Sequence, residues 1–300
     1  MTAPILITGA SGFVGRALRP ALAHAFGAAS LHQFTNDITD RAAIDSAMMQ
    51  AQPAIVIHLA AIAAVPQARN NLTYCFEVNL TGTLHLAEAI ITHAPHAKLI
   101  YFGSGDCYGA SFQSGAPATE TTLLAPLNSY AASKAAADLA LGALATERGL
   151  RLLRLRPFNQ IGPNMPENYA MGSFAAQLKR IRAGTAPPRL NVGNLDAERD
   201  MLHVSDVADA VVRAIKLSLA DRLAENLVLN LASGQPRQIG AMLDDLIARS
   251  GLPVTITQDP TRLRPSDIPR AVGDASAAQR ILGWTPAIPY QQWLDDLLAP

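Results

Sequence analysis

The stretch Pro4-Ile5-Leu6-Ile7-Thr8-Gly9-Ala10-Ser11-Gly12-Phe13-Val14-Gly15 decides the fold. Its first half is a short apolar run, and its second half carries three glycines spaced three apart. Beyond it Val14, Ala17, Leu18, Ala21, Leu22 and Ala25 recur at intervals of three and four, the period of a helix with one buried face. The stretch therefore reads as strand, tight turn and helix. Gly9 lets the chain turn sharply, Gly12 lets the backbone approach a ligand, and Gly15 lets the helix pack against the strand. Free N–H groups at such a helix start favour a pyrophosphate, which makes the turn a candidate dinucleotide site.

Outward from this unit, strands alternate with helices. A strand near Ser30 to Phe34 leads to Asp37-Ile38-Thr39-Asp40, where Thr39 or Asp40 can cap a helix over Ala42 to Met49. Pro53 introduces Ala54-Ile55-Val56-Ile57-His58-Leu59, a continuous apolar run that suits a parallel strand covered on both faces. A long helix from Tyr74 to His93 precedes a strand over Ala97 to Phe102. A polar loop then reaches Leu127, followed by a helix over Asn128 to Glu147 and a strand over Leu150 to Leu155. This rhythm predicts an α/β fold, a Rossmann-type doubly wound parallel sheet.

Past Arg156-Pro157 proline and glycine become frequent and the segments shorten. The pattern predicts helices over Gly172 to Ala183, from Ser205 or Asp206, over Ile239 to Ser250 and near Tyr290 to Leu298, with a strand over Leu227 to Leu231. We expect one domain over residues 1–157 and a smaller C-terminal lobe over 158–300, with a cleft between them. The chain is expected to cross back to the first domain around residues 201–232.

Composition removes several classes of function. The chain has 300 residues, 49% of them hydrophobic and 16% charged, which describes a folded α/β protein rather than a disordered one. Its formal net charge is zero and it has no basic stripe, so no nucleic-acid partner is expected. The run from Ile55 to Val65 carries His58 and falls short of the roughly 18 apolar residues of a membrane span. With no basic, apolar and cleavable start, a cytoplasmic protein is expected. Cys75 and Cys107, the only two cysteines, are too few for a disulfide framework or a Cys-rich metal site. His93 and His96 have no neighbouring acid or cysteine to complete a metal site, so no metal is expected.

The sharpest chemistry lies at Tyr130-Ala131-Ala132-Ser133-Lys134, where a phenol and an ammonium four residues apart share a helix face. A nearby ammonium favours phenolate and lowers the pKa of Tyr130, as a general acid or base requires. Ser104 directly follows a buried strand, at the sheet edge where a substrate lies. Its hydroxyl can hold a carbonyl or alkoxide oxygen.

Six motifs in order give the chain a family likeness. They are Thr8 to Gly15, Val56-Ile57-His58-Leu59-Ala60-Ala61, Val78-Asn79-Leu80-Thr81-Gly82-Thr83, Gly103-Ser104-Gly105-Asp106-Cys107-Tyr108-Gly109, Tyr130 to Lys134, and Arg156-Pro157-Phe158-Asn159. Over essentially its whole length the chain resembles the extended short-chain dehydrogenase/reductases of the nucleotide-sugar epimerase/dehydratase group. That resemblance implies NADP or NAD in the first domain, a sugar nucleotide in the second, and Ser104, Tyr130 and Lys134 as the hydride-transfer triad. It places the cofactor against Gly9, Ser11, Gly12, Phe13, Val14 and Gly15, and against Asp37, Ile38, Leu59, Ala60, Ala61 and Pro157. A homodimer through a four-helix contact, built from the helices at Tyr74 to His93 and Asn128 to Glu147, is implied as well.

Within the group, Val192 to Asp200, Arg264-Pro265-Ser266-Asp267 and Leu282-Gly283-Trp284 resemble the GDP-mannose branch. On that resemblance Asn159, Lys179, Arg199 and Arg264 contact the diphosphate side of a GDP-sugar and Asp267 lies near the ribose. Guanidinium forks suit phosphate oxygens. The turn Ser11-Gly12-Phe13-Val14-Gly15 is similar to the reductases of GDP-4-keto-6-deoxy-D-mannose rather than to the dehydratases, which carry Gly-Gln-Asp-Gly there. The implied reaction is NAD(P)H-dependent reduction at C4 to a GDP-6-deoxyhexose, GDP-D-rhamnose in the first instance. Asp106 stands at the position of the dehydratases' acidic base, which keeps GDP-mannose 4,6-dehydratase as an alternative beside a 4-epimerase or a non-catalytic NADP sensor. Asp37 lies near the spacing of a ribose-binding carboxylate, although in this family an Asp-Ile pair faces the adenine. The choice between NAD and NADP stays open at this point.

Overall fold

The computed structural model describes residues 3–262 and 268–299. Strand β1 (Ile5–Thr8) is buried along its length and turns into helix α1 (Phe13–Phe26). Strand β2 (Leu31–Phe34), helix α2 (Arg41–Ala51) and strand β3 (Ile55–His58) complete the first β-α-β-α-β unit. Asp40, one of the two caps expected, accepts the Ala43 N–H at 3.0 Å and so starts α2. Helices α3 (Val65–Asn70) and α4 (Leu72–Phe76) then lead through a π-helical turn, Glu77–Thr81, into α5 (Gly82–His93). Strand β4 (Lys98–Phe102), helix α6 (Ser129–Arg148) and strand β5 (Leu152–Pro157) follow. Between β4 and α6 the polar loop carries a 3-10 segment over Gly105–Ser114.

The second half runs through β6 (Asn159–Ile161), α7 (Ala170–Arg182), β7 (Arg189–Val192), β8 (Glu198–His203) and α8 (Val204–Leu219). It continues with β9 (Leu227–Leu231), β10 (Pro236–Gln238), α9 (Ile239–Ser250), β11 (Thr255–Gln258) and β12 (Arg270–Ala271). Helices α10 (Ser276–Leu282) and α11 (Tyr290–Leu298) close the described chain.

Six parallel strands form the main sheet in the order β2-β1-β3-β4-β5-β9. Alternation along each strand sends side chains to two separate cores. Ile5, Ile7, Ile55, Ile57, Ile100, Phe102, Leu153 and Leu155 meet α1, α8 and α10 on one face. Leu6, Val56, Leu99, Tyr101 and Leu152 meet α2, α5 and α6 on the other. The apolar stripe of α1 seats Leu18 and Leu22 in the first core, where truncating either to Ala would cost about 2–5 kcal/mol.

Strand β1 connects outward to β2 while its other neighbour, β3, connects away to β4, so the connections leaving β1 and β3 diverge. This is the switch point where an open α/β sheet gathers ligands at the C-terminal strand ends. After β8 the chain returns to the first sheet: α8 packs on α1, and β9 pairs with β5 from Leu153↔Leu227 to Pro157↔Leu231.

A smaller sheet has the order β10-β8-β12, and β6 also pairs with β8. Its central strand begins Glu-Arg-Asp, which hid it from a reading based on apolar runs. Asp200 is buried there because it accepts four hydrogen bonds, from Ser233 N and Oγ, Gly234 N and Gly273 N, at 2.6 to 3.1 Å. Helices α7, α9 and α11 cover this lobe's own core around Phe174, Leu178, Met242, Leu246 and Trp293. Tyr108, Phe112 and Phe158 pack together in a fourth cluster with Ala232 and Ala271, joining the two sheets.

Candidate active site

The first glycine of the nucleotide turn is fixed by its neighbour. Gly9 has φ +68°, and a Cβ there would stand 2.6 Å from Ala60 N, so the Leu59-Ala60-Ala61 segment after β3 presses directly on the turn. A Cβ on Gly15 would meet Ala10 O at 2.6 Å, which makes the close approach of α1 to the turn depend on glycine. Gly12, the N-cap of α1, has no side chain to occupy the helix start, and the first turn of α1 holds no acid. These features fit a dinucleotide pyrophosphate at the exposed N–H groups of α1.

Beneath the turn runs a buried polar chain. Thr83 Oγ1 donates to Asn79 O at 2.7 Å, so it accepts from His58 Nε2 at 2.9 Å. His58 Nδ1 is then the acceptor for Thr8 Oγ1 at 2.7 Å, and Thr8 accepts the Ala60 N–H at 3.2 Å. The network fixes a neutral imidazole, and burial pushes the His58 pKa down to about 3. His58 is thus a hydrogen-bonded tie between β1, β3 and α5.

The π turn gives Asn79 its reach. Its carboxamide accepts the Ile62 N–H at 2.8 Å and donates to Ile62 O at 3.1 Å and Ser133 Oγ at 2.9 Å. Ser133 donates in turn to Tyr130 O at 2.8 Å. Asn79 therefore braces the loop after β3 against the first turns of α6, where Asn128 caps the helix by accepting Ala131 N–H at 2.9 Å.

Ser104, Asp106 and Tyr130 come together where β4 ends and α6 begins. Ser104 caps the 3-10 segment, its Oγ accepting the Asp106 N–H at 3.1 Å, and it shares a hydrogen bond with the Tyr130 phenol. Burial raises the Tyr130 pKa and the Asp106 charge raises it further, while the bond to Ser104 opposes the shift. The expectation that Lys134 would lower this pKa is corrected. Lys134 is itself buried, with Nζ 4.3 Å from the ring centroid of Tyr101, and burial lowers its pKa to about 8. Tyr169, just before α7, also lies within electrostatic reach of Tyr130 and was not singled out in the sequence. Burial pushes the Cys107 thiol up to about 12, which leaves it protonated and unreactive.

One supporting cluster was missed because its members are far apart in sequence. Asp138, one turn beyond Lys134, accepts from Arg156 Nε at 3.0 Å, Arg156 Nη2 at 2.8 Å and Arg154 Nη1 at 3.1 Å. Arg156 also donates to Tyr108 Oη at 3.1 Å, and Tyr108 donates to Asn230 Oδ1 at 2.7 Å. Helix α6 is tied in this way to β5, β9 and the 3-10 segment. Phe158 comes close enough that a Cβ on Gly105 would meet its ring at 3.0 Å.

The remaining residues are placed as follows. Ser11 is exposed, Phe13 and Val14 half-buried, and Pro157 ends β5 buried. Asp37 is exposed and turned into its own loop, its Oδ1 accepting Thr39 N and Thr39 Oγ1 at 2.9 Å, which lowers its pKa. Ile38 is buried against Gly82, where a Cβ would meet its Cγ2 at 2.8 Å. Asn159 opens β6 half-buried, and Lys179 is half-buried on α7. Arg199 on β8 donates to Glu198 O at 2.9 Å and Ile268 O at 2.7 Å. Arg264 and Asp267 lie outside the described residues. Among the described residues, no helix is long and apolar enough to cross a membrane.

Residues 5–230 match the model of the NAD dependent epimerase/dehydratase family. The chain is 33% identical to GDP-6-deoxy-D-mannose reductase of Pseudomonas aeruginosa, over 100% of this chain and 97% of the relative. It is 28% identical to GDP-6-deoxy-D-talose 4-dehydrogenase of Aggregatibacter actinomycetemcomitans, over 93% and 91%. Among solved structures, that of RMD from Pseudomonas aeruginosa complexed with NADPH superposes with a TM-score of 0.89 at 31% identity, covering 99% of this chain and 98% of that one.

Proposed function

The chain belongs to the NAD dependent epimerase/dehydratase family, and from that membership we propose that it reduces the C4 ketone of GDP-4-keto-6-deoxy-D-mannose to a GDP-6-deoxyhexose, GDP-D-rhamnose. Similarity over the full length to a GDP-6-deoxy-D-mannose reductase supports the substrate. The observation that carries the role of acid is Tyr130, hydrogen-bonded to Ser104 at the end of β4, its pKa raised by burial and by Asp106. A neutral phenol is the form that can give up a proton.

A nicotinamide dinucleotide, NADPH or NADH, would when bound supply a hydride for C4. It would be held by the turn from Gly9 to Gly15, by Leu59 to Ala61 and by Lys134. Tyr130 gives its proton to the C4 oxygen, which balances the hydride and completes the alcohol. Ser104 orients that oxygen, its own position fixed by the Asp106 N–H. Lys134, one turn along α6, would hold the dinucleotide rather than tune the phenol. Asn159, Lys179 and Arg199, with Arg264 and Asp267, are proposed to hold the GDP moiety.

We further propose a homodimer built on α4, α5 and α6, since α4 packs against α6 and these helices expose Leu72, Tyr74 and Leu139. A reducing, cytoplasmic setting accords with Cys75 and Cys107, both buried as free thiols.

The test is the loss of NADPH or NADH absorbance with GDP-4-keto-6-deoxy-D-mannose, generated in place by a separate dehydratase, and NMR of the product. Rapid oxidation with a GDP-6-deoxyhexose product is expected. The Asp106 carboxylate beside Tyr130 favours one second reading, GDP-mannose 4,6-dehydratase. Conversion of GDP-mannose by the purified protein, without oxidation of added cofactor, would establish it instead.

A further inference from the structure

The ammonium of Lys134 is buried without a counter-ion. Lys134 is 3% exposed, and among the described residues its Nζ makes neither a hydrogen bond nor an ion pair. The titratable groups within its electrostatic reach are Cys75 on α4, Cys107 in the 3-10 segment, Asp138 one turn further along α6 and His58 on β3. Cys75 is a buried free thiol, Cys107 a protonated thiol and His58 a neutral imidazole. The carboxylate of Asp138 is taken up by Arg154 and Arg156. A buried charge in that position is costly, and a neighbouring group must offset the loss of water.

Tyr101 is that neighbour. It lies in β4, fully buried, with its ring centroid 4.3 Å from Lys134 Nζ. Its hydroxyl donates to the backbone carbonyl of Lys134 at 3.2 Å, so one side chain grips the lysine at both ends. Burial raises the Tyr101 pKa, and the phenol therefore attracts the ammonium through the negative face of its ring rather than as phenolate. The ring is held in turn. Tyr101 is the register partner of His58 across β3 and β4, with ring centroids 6.0 Å apart, and Thr8 and Thr83 pin His58. A carboxylate in place of this ring would claim the N–H donors of the ammonium, whereas the ring leaves them uncommitted.

We propose that Tyr101 is a positioning residue for the reaction, its ring face being the platform that keeps the Lys134 ammonium charged and in place for the dinucleotide. The inference rests on the dinucleotide-dependent reading above, in which Lys134 holds the dinucleotide, and deepens it.

The test compares Tyr101→Phe, which keeps the ring and loses the hydroxyl, with Tyr101→Leu, which loses both. Protonation of Lys134 is followed by NMR of the full chain carrying isotope-labelled lysine. Lys98, Lys179 and Lys216 are the only other lysines, and Lys134→Met identifies the signal. Affinity for NADPH and for NADH is measured by titration calorimetry over the same pH range. The Lys134 midpoint is expected to stay within about 0.3 pH unit of wild type in Tyr101→Phe and to fall by about one pH unit in Tyr101→Leu. Both dinucleotides should then bind Tyr101→Leu about fivefold more weakly at the wild-type midpoint, and the affinities should converge at pH values below both midpoints. A wild-type midpoint in Tyr101→Leu, or an equal fall in Tyr101→Phe and Tyr101→Leu, would overturn the inference while leaving the reductase reading intact. Binding of neither dinucleotide to wild type would overturn both. Thermal unfolding checks that each variant keeps the fold, and Tyr101→Met replaces Tyr101→Leu if the smaller side chain leaves the protein unfolded.

Discussion

Asp138 and Arg156 meet as a two-pronged pair, Nε to Oδ2 at 3.0 Å and Nη2 to Oδ1 at 2.8 Å, with both residues buried. A pair like this is not a simple gain in stability, because both charges have left water. Removing one partner, however, strands the other. Asp138→Asn should lower the free energy of unfolding by about 3–5 kcal/mol, read from denaturant curves. Arg156→Lys keeps the charge but cannot reproduce the fork, and it should also lower stability. Unfolding midpoints unchanged from wild type would show that α6 is not held by this contact.

Tyr130→Phe removes the phenolic proton and leaves the ring. Turnover should fall by about 10²–10⁴-fold, with dinucleotide affinity nearly unchanged. Unaltered single-turnover rates would exclude Tyr130 as the acid.

Burial brings the pKa of Lys134 from 10.5 to about 8. Its positive charge is therefore lost as pH rises through about 8, and kcat/KM should decline along a single deprotonation in that range. Stability should move the other way. The unfolded chain holds the proton up to 10.5, so it binds more protons than the folded chain between these values, and unfolding becomes harder as pH rises across them. Lys134→Met should abolish that rise in stability.

For His58 the folded pKa of about 3 lies below the ordinary 6.5, so its contribution to stability is complete above pH 6.5. It is lost as pH falls toward 3, because the unfolded state takes up the proton first. The slope from this one group should approach about 1.4 kcal/mol per pH unit. His58→Gln should flatten the acid limb of the stability profile, measured by urea unfolding at a series of pH values, and an unchanged limb would assign the acid sensitivity elsewhere.

Much of this was legible in the chain itself. Apolar runs such as Ile55 to His58 and the glycines of the nucleotide turn gave strands and a turn, because burial on both faces leaves a continuous apolar signature. The neighbourhood of Ser104 and Tyr130 was legible from strand-end and helix spacing. Strand β8 was not, since hydrogen bonds rather than apolarity bury Asp200. The protonation of Tyr130 was misread because spacing on a helix reports which residues are neighbours and says nothing of solvent, and solvent exclusion dominates there. The Asp138–Arg156 pair joins separate elements, so no local pattern announces it.

The pairing of β9 with β5 has a consequence for biosynthesis. Until residues 227–231 leave the ribosome, β5 presents an open edge, and the face of the sheet beneath α8 is bare. The amino-terminal half cannot complete its own sheet as it emerges, and release at Pro157 would yield a sticky, unfinished slab. The half with the glycine-rich turn and the C-terminal lobe are thus bound to one folding event, and an attempt to trade the lobe for that of another protein must carry β9 and α8 along with the first half.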